Sequence, residues 1–169
     1  MSRNVLIFLT VVCIIVPIIV YGTAIINTIQ FNSQCISYFR MASDANSVEL
    51  AEKYINIGIE YLEKNNLTNG TTHIFIYNPT NDLGLWYENL KSAQRQLHEL
   101  NSKEDLTELE ESNALMKLRE TLLDNEGSVT HPAMITFYPN HILWFWILCL
   151  IWSLWVGAIV FGVCADECY

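Results

Sequence analysis

Charge is missing from two long stretches of this 169-residue chain. Val5 to Ile26 and Ile142 to Val163 contain no Asp, Glu, Lys, Arg or His. Each runs about 22 residues, enough at about 1.5 Å per helical residue to cross a hydrocarbon core of roughly 30 Å. A proton relay, charged filter or substrate counter-ion normally shows as an intramembrane ionisable group. A pump or secondary transporter is therefore not expected, although several copies could still line a hydrophobic or backbone-lined pore.

Basic residues are also scarce, nine against eighteen acidic, for a net charge of −9. Only Arg3, Asp166 and Glu167 lie outside the segment 27–140, so that segment carries eight basic and sixteen acidic residues. Such a surface repels nucleic acid and anionic headgroups, and no nucleic-acid partner is expected. Of five cysteines, Cys13 and Cys149 fall inside the apolar runs, Cys164 and Cys168 follow the second, and Cys35 stands alone in the middle. A lone cysteine excludes an internal disulfide framework there and reads as a small buried hydrophobe.

Recognisable chemistry is missing too. His73, His98, His131 and His141 are scattered, without a metal-ligand neighbour three or four residues on. There is no H-x-x-x-H, C-x-x-C, Gly-rich phosphate loop or G-x-S-x-G. Neither catalytic nor metal residues are assigned, and no cofactor is expected. The carboxylates Glu104, Asp105, Glu108, Glu110 and Glu111 lack calcium-loop spacing and read as a solvated helix face, with a cation bridge between subunits as the alternative. Cys164 to Cys168 is at most half a metal site or a lipid-attachment point, and reads as a short disordered tail.

What remains is an architecture: a short terminus (1–4), a first transmembrane helix (5–26), one domain (27–140), a second transmembrane helix (141–163) and a tail (164–169). Arg3 and Gly22-Thr23-Ala24 would suit a cleaved signal peptide, but the apolar run exceeds the roughly 7–15 residues of a signal core, so a retained anchor is expected. Arg3 before the first span weakly places both termini in the cytoplasm and the domain outside it. Pro17 removes a backbone donor and should bend the first helix. The absence of Gly and Pro from 27 to 40 lets that helix run on into the domain.

The domain reads as mainly α, a three- to four-helix bundle. Ser43 to Ser47 is a capping cluster for a helix over 48–64, whose face is set by Val48, Ala51, Ile55, Ile59 and Leu62. Asn65 to Gly70 is a turn holding two Asn-x-Thr patterns, at Asn66 and Asn69, which such a turn generates by chance. Thr80-Asn81-Asp82 caps a second helix with the seam Leu83, Trp86, Leu90, Ala93, Leu97 and Leu100, the helix-on-helix spacing of a coiled coil. Ser102 to Asp105 reads as a capping box for a third helix to Leu123. That helix carries one stripe at Leu106, Leu109, Met116 and Leu123 and another at Leu115, Leu118 and Leu122. The stretches THIFIY (72–77) and ITFY (135–138) either pair as a short ribbon beside the membrane or serve as extended linkers packing aromatic side chains. In the last run Trp144 and Trp146 are candidate membrane-interface anchors. Ser153 with Gly157, and Ala158 with Gly162, are small-xxx-small pairs that admit another helix.

ASDANSVELAEKYI, DLGLWYENL, NALMKLRETLLD and SVTHPAMITFYPN, ahead of a Trp-rich span, together resemble a group of bacterial two-span membrane proteins with a helical extracytoplasmic domain. The resemblance implies the bacterial inner membrane and a periplasmic domain, and brings no activity or catalytic residue. The expectation is a non-catalytic structural or assembly subunit whose partners are the lipid bilayer and copies of itself or other membrane subunits. The interface or packing candidates are Trp86, Leu90, Ala93, Leu97, Leu100, Ser153, Gly157, Ala158 and Gly162. The alternative is a ligand-binding or sensing module coupled to the spans, and cytoplasmic ends of a few residues favour the first.

Overall fold

The computed structural model describes the backbone of residues 3–166 and the side chains of residues 15–156. The chain is mainly helical, and among the described residues there is no β-strand. Helix α1 (Arg3–Phe31) passes through Pro17 and continues by a π-helical turn, Asn32–Ile36, into α2 (Ser37–Ser43). The Ser37 amide reaches back five residues to the Asn32 carbonyl, and the Ser37 hydroxyl donates to the same oxygen at 2.7 Å. This widened turn keeps Phe31, Cys35 and Phe39 on one buried stripe. The rod changes character at that point. Ile18, Ile19, Ile25, Ile26 and Ile29 are exposed, whereas Phe31, Cys35, Phe39 and Ala42 are buried in the domain.

Ser47 caps α3 (Val48–Lys64), its hydroxyl accepting from the Leu50 amide. A second cap comes from far along the chain: Glu111 Oε1 accepts from the Val48 amide at 3.0 Å. A carboxylate beside the first-turn amides also meets the positive end of the helix dipole. Glu111 thus has a structural task that the reading of a merely solvated acidic face misses. The buried face of α3 is the expected one, Val48, Ala51, Ile55, Ile59 and Leu62, with Gly58 added to it.

Asp82 caps α4 (Leu83–Asn101) by accepting from the Leu85 amide at 3.0 Å. The next helix, α5 (Glu108–Leu122), starts later than Ser102 to Asp105 implies. Thr107 and Glu110 form its capping box, and the Thr107 amide donates to Glu110 Oε2 at 3.1 Å. Glutamate at the third helical position has the reach to close that loop, and Asp105 is one methylene shorter. The buried stripe of α5 is Leu118 and Leu122 with Leu115 partly covered, while Leu109 and Met116 face outward. Helices α2 to α5 pack around one core in which Phe39, Ile55, Ile59, Leu62, Leu83, Leu90 and Leu122 are fully buried.

Of the two readings of 72–77 and 135–138, the ribbon does not form: the first stretch closes locally, Thr71 bridging Asp82, and the second coils into a short helical turn. Ile135–Phe137 is a 3-10 turn entered through Met134 in the left-handed region (φ 59°). That turn, between Pro132 and Pro139, removes the extended backbone a ladder to 72–77 needs. Loop closure over about ten residues also costs less entropy than pairing segments about sixty residues apart.

The chain ends in α6 (His141–Asp166). Among the described residues, Ile15–Ser43 is long and apolar enough to cross a membrane, and His141–Val156 is an apolar but shorter stretch. The side chains of 157–163 in the expected second span lie outside the described residues, as do those of the 164–169 tail.

Candidate functional site: the junction of the domain with the apolar helices

An exposed apolar loop meets α6 where that helix leaves the domain. Gly70 opens the site. Its φ of +100° suits glycine, and a Cβ there would overlap the Tyr138 hydroxyl, so the chain turns tightly under that ring. Residues 71–82 then form a closed loop. The Thr72 amide donates to the Asn81 carbonyl (2.9 Å) and the Leu83 amide to the Gly70 carbonyl (2.9 Å), clamping the base. The Asn78 side chain accepts from the Thr80 amide (3.1 Å), which shapes the returning arm. Compact loops with joined ends are frequently functional.

The tip of this loop is apolar and uncovered: Phe75 is 71% exposed, Ile76 83% and Tyr77 57%. Three contacts hold it. The Phe75 ring meets Phe145 of α6 edge-on, with centroids 5.2 Å apart. The Tyr77 hydroxyl donates to Asp82 Oδ2 at 3.2 Å, and this bond holds the Tyr77 phenol above its ordinary pKa. His141 Nε2 donates to the His73 carbonyl at 3.3 Å. His141 is only 5% exposed and stacks on Tyr138 at 5.8 Å. The Nδ1 atoms of His73 and His141 are buried without a hydrogen-bond partner in the protein. Among the described residues no three His, Cys, Asp or Glu side chains converge as metal ligands would.

The seam residues lie elsewhere. Leu90 and Leu97 are buried, and Trp86, Ala93 and Leu100 pack partly covered against the same core, with α3 on one side of α4 and α5 on the other. Trp86 meets Phe39 edge-on (6.0 Å), and its indole Nε1 donates to the Thr130 carbonyl at 2.9 Å. These five positions are therefore packing residues of the chain itself. One residue further round α4 runs a polar ladder to α3. Tyr87 donates to Glu63 (2.7 Å), Gln94 to Asn56 (2.6 Å), and His98 and Asn101 to Glu52 (both 2.7 Å). Burial and the Glu63 carboxylate push the Tyr87 phenol up to about 12, and that hydroxyl holds Glu63 below the usual carboxylate range. The α4–α5 crevice between Ala93, Leu97, Ala114 and Leu118 has a volume of about 190 Å³.

On α6, Trp144 is half-buried against Phe137 (5.8 Å) and Trp146 is exposed. Ser153 donates to the Leu150 carbonyl at 2.8 Å and is exposed. Gly157, Ala158 and Gly162 continue the helix, and their surroundings lie outside the described residues. Among the described residues, Trp144, Trp146 and Ser153 of α6 are not gathered with the seam residues. Sequence reasoning missed the loop tip because THIFIY has strand composition. The signal that could have revealed it is an aromatic run closely bracketed by Gly70 and Asn78-Pro79. The chain matches no protein-family model, no curated protein and no solved structure.

Proposed function

We propose that α1 and α6 are two bilayer spans, over residues 5–26 and 141–163, that carry the domain 27–140 on one face of the membrane, and that the protein is a non-catalytic structural or assembly subunit. The observation that carries the reading is a contrast in exposure. In the domain most large apolar side chains turn inward, the exceptions being Met41, Leu85, Leu109, Met116 and the tip Phe75 to Tyr77. On α1 and α6 they turn outward, at Ile18, Ile19, Ile25, Ile26 and Ile29 and at Leu143, Trp146, Leu150, Trp152, Leu154 and Trp155. Each is worth about 1.5–3 kcal/mol when removed from water, and a patch of this size marks a lipid or protein contact. The absence of charge from 5–26 and 142–163 favours lipid as the main solvent, with the domain extracytoplasmic by the placement of Arg3.

Assembly is favoured over ligand sensing because the hollows that reach the roughly 300–1,000 Å³ usual for small-molecule sites are open grooves. They lie beside Trp86 and His131 (about 490 Å³), Tyr38 and Tyr61 (about 400 Å³) and Met41 and Tyr54 (about 650 Å³), whereas the more enclosed α4–α5 crevice holds about 190 Å³. With the seam occupied by the chain's own core, a neighbouring subunit would meet the exposed faces of α1 or α6.

The test has two arms. Cys149 is exposed on α6. With Cys13, Cys164 and Cys168 replaced by alanine, a membrane-impermeant maleimide should label it only after the bilayer is dissolved. Labelling in opened vesicles would remove the second span. The mass of the solubilised particle, with identification of co-purifying chains, should exceed that of one 19.4 kDa chain in its detergent belt. A lone monomer retaining a small molecule would overturn assembly in favour of sensing.

A further inference from the structure

We propose that the tip Phe75-Ile76-Tyr77 of the closed 71–82 loop lies in the interfacial layer of the lipid leaflet from which the domain rises, a third membrane contact beside α1 and α6. The inference rests on the reading of α6 as a span and adds where the domain itself touches lipid. Its first support is depth. Phe145 is four residues past His141, where α6 begins, so at about 1.5 Å per residue it lies roughly 6 Å along the helix away from the domain. The ring contact between Phe75 and Phe145 puts the loop tip at that level, flanked in sequence by the two indoles of Trp144 and Trp146. Amphipathic aromatic rings favour the headgroup boundary.

The second support is composition. From Thr71 to Asn81 the loop contains no Asp, Glu, Lys or Arg. Its three most exposed large side chains are consecutive and sit at its tip, whereas the one hydroxyl among them, on Tyr77, turns back to Asp82. A water-facing turn of this length is ordinarily polar. The third is attachment: the Phe75 ring touches Phe145 of α6, a helix on which Ile142, Leu143 and Trp146 are also uncovered and whose residues 142–163 carry no charge. Finally, the tip is held and not free to fold back. The bridge at its base and the buried His141 Nε2–H to the His73 carbonyl fix the loop to the first turn of α6. A lipid boundary fits an exposed, charge-free convex tip. A protein partner would be expected to meet charged side chains at a rim, and the tip carries none.

The experiment uses the full-length chain in phosphatidylcholine nanodiscs, with Cys13, Cys149, Cys164 and Cys168 replaced by alanine and the buried Cys35 kept. An environment-sensitive nitrobenzoxadiazole is attached singly at Ile76→Cys, at Ile19→Cys on the outer face of α1, or at Leu109→Cys. Leu109 is 71% exposed and lies on the first turn of α5, beside the α3 cap and remote from α6. Quenching is read with lipids carrying a nitroxide high or midway on the acyl chain, and with aqueous iodide. The expected pattern at Ile76 is strong quenching by the high nitroxide, weaker quenching by the midway one, and several-fold less quenching by iodide than at Leu109. Iodide quenching at Ile76 equal to that at Leu109 places the tip in water and overturns the proposal. Protection from iodide and both nitroxides means that protein covers the tip, and overturns it as well. The Ile19 label separates the two readings. If it is quenched by the midway nitroxide while Ile76 behaves as in water, only the loop inference fails. If Ile19 is open to iodide, the span reading fails first.

Discussion

Replacing Gly58 with alanine should destabilise the domain, although alanine is the better helix former. Gly58 lies in the interior of α3 on its buried face. A Cβ built there falls 2.8 Å from Phe39 Cζ and 2.9 Å from Cδ1, and closer still to Cε1. The ring cannot simply retreat. Phe39 has no exposed surface, and its far side meets the edge of Trp86, whose indole is tied to the Thr130 carbonyl. In an open helical position the substitution would gain about 1 kcal/mol of propensity. Forcing a methyl group into a packed core costs about 1–3 kcal/mol, and a clash with three ring carbons belongs at the upper end of that range. The net loss is then about 1–2 kcal/mol. For a chain of this size each kcal/mol moves the unfolding midpoint by about 2–4 °C. Thermal unfolding followed by far-ultraviolet circular dichroism in detergent measures it. Two companions isolate the cause. Gly22→Ala, where a Cβ meets nothing within 4 Å, should not lower the midpoint. Phe39→Leu removes Cε1 and Cζ, so the double variant should lose less than the sum of the two single variants. A neutral or stabilising Gly58→Ala would mean that α2 and α3 do not approach each other this closely, and the reasoning would fall.

Three further outcomes follow from the same contacts. Leu90→Ala should cost about 2–5 kcal/mol while leaving the mass of the solubilised particle unchanged, because Leu90 is buried within one chain; a cost under about 0.5 kcal/mol with loss of association would make the seam an interface instead. Glu111→Ala should cost about 1 kcal/mol and speed hydrogen exchange at the Val48 amide, with no such change at Leu50, which Ser47 caps. Tyr87 should ionise near pH 12, so its contribution to stability is complete below about pH 10, the ordinary phenol value, and is lost as pH rises through 12. Its partner Glu63, held low, contributes above the ordinary carboxylate value and loses that contribution as pH falls. Tyrosinate absorbance checks this pair: Glu63→Gln should bring the last ionisation down, and a Tyr87→Phe variant with an unaltered alkaline limb would contradict it.

Much of the helical framework was legible because it is written in short-range spacing. The 48–64 helix has its expected bounds, and the start of α4 follows from Asp82. The seam from Leu83 to Leu100 is apolar at alternating intervals of three and four, and those residues do pack inward. Where two local signals competed, the sequence was ambiguous. Ser102 to Asp105 reads as a capping box, yet the helix starts from Thr107, and α5 carries leucine on two neighbouring stripes. Helix α5 spreads its apolar residues over two stripes among six charged ones, so only the surface offered by α2, α3 and α4 selects Leu118 and Leu122 over Leu109 and Met116. The polar ladder between α3 and α4 was unreadable for a related reason: Glu52, Asn56 and Glu63 look like any solvated face until α4 lies antiparallel beside them.

By itself, then, the sequence determined the two apolar helices with charge-free middles, the acidic helical domain between them and most of the N-terminal helix caps. Each of these depends on neighbours within one or two turns. Tertiary structure alone decided that Glu111 caps α3, that Gly58 admits Phe39, and that THIFIY becomes a clamped loop against Phe145 instead of a strand. Those contacts join residues 19 to 70 positions apart, and their stability comes from surfaces that exist only once the helices have docked.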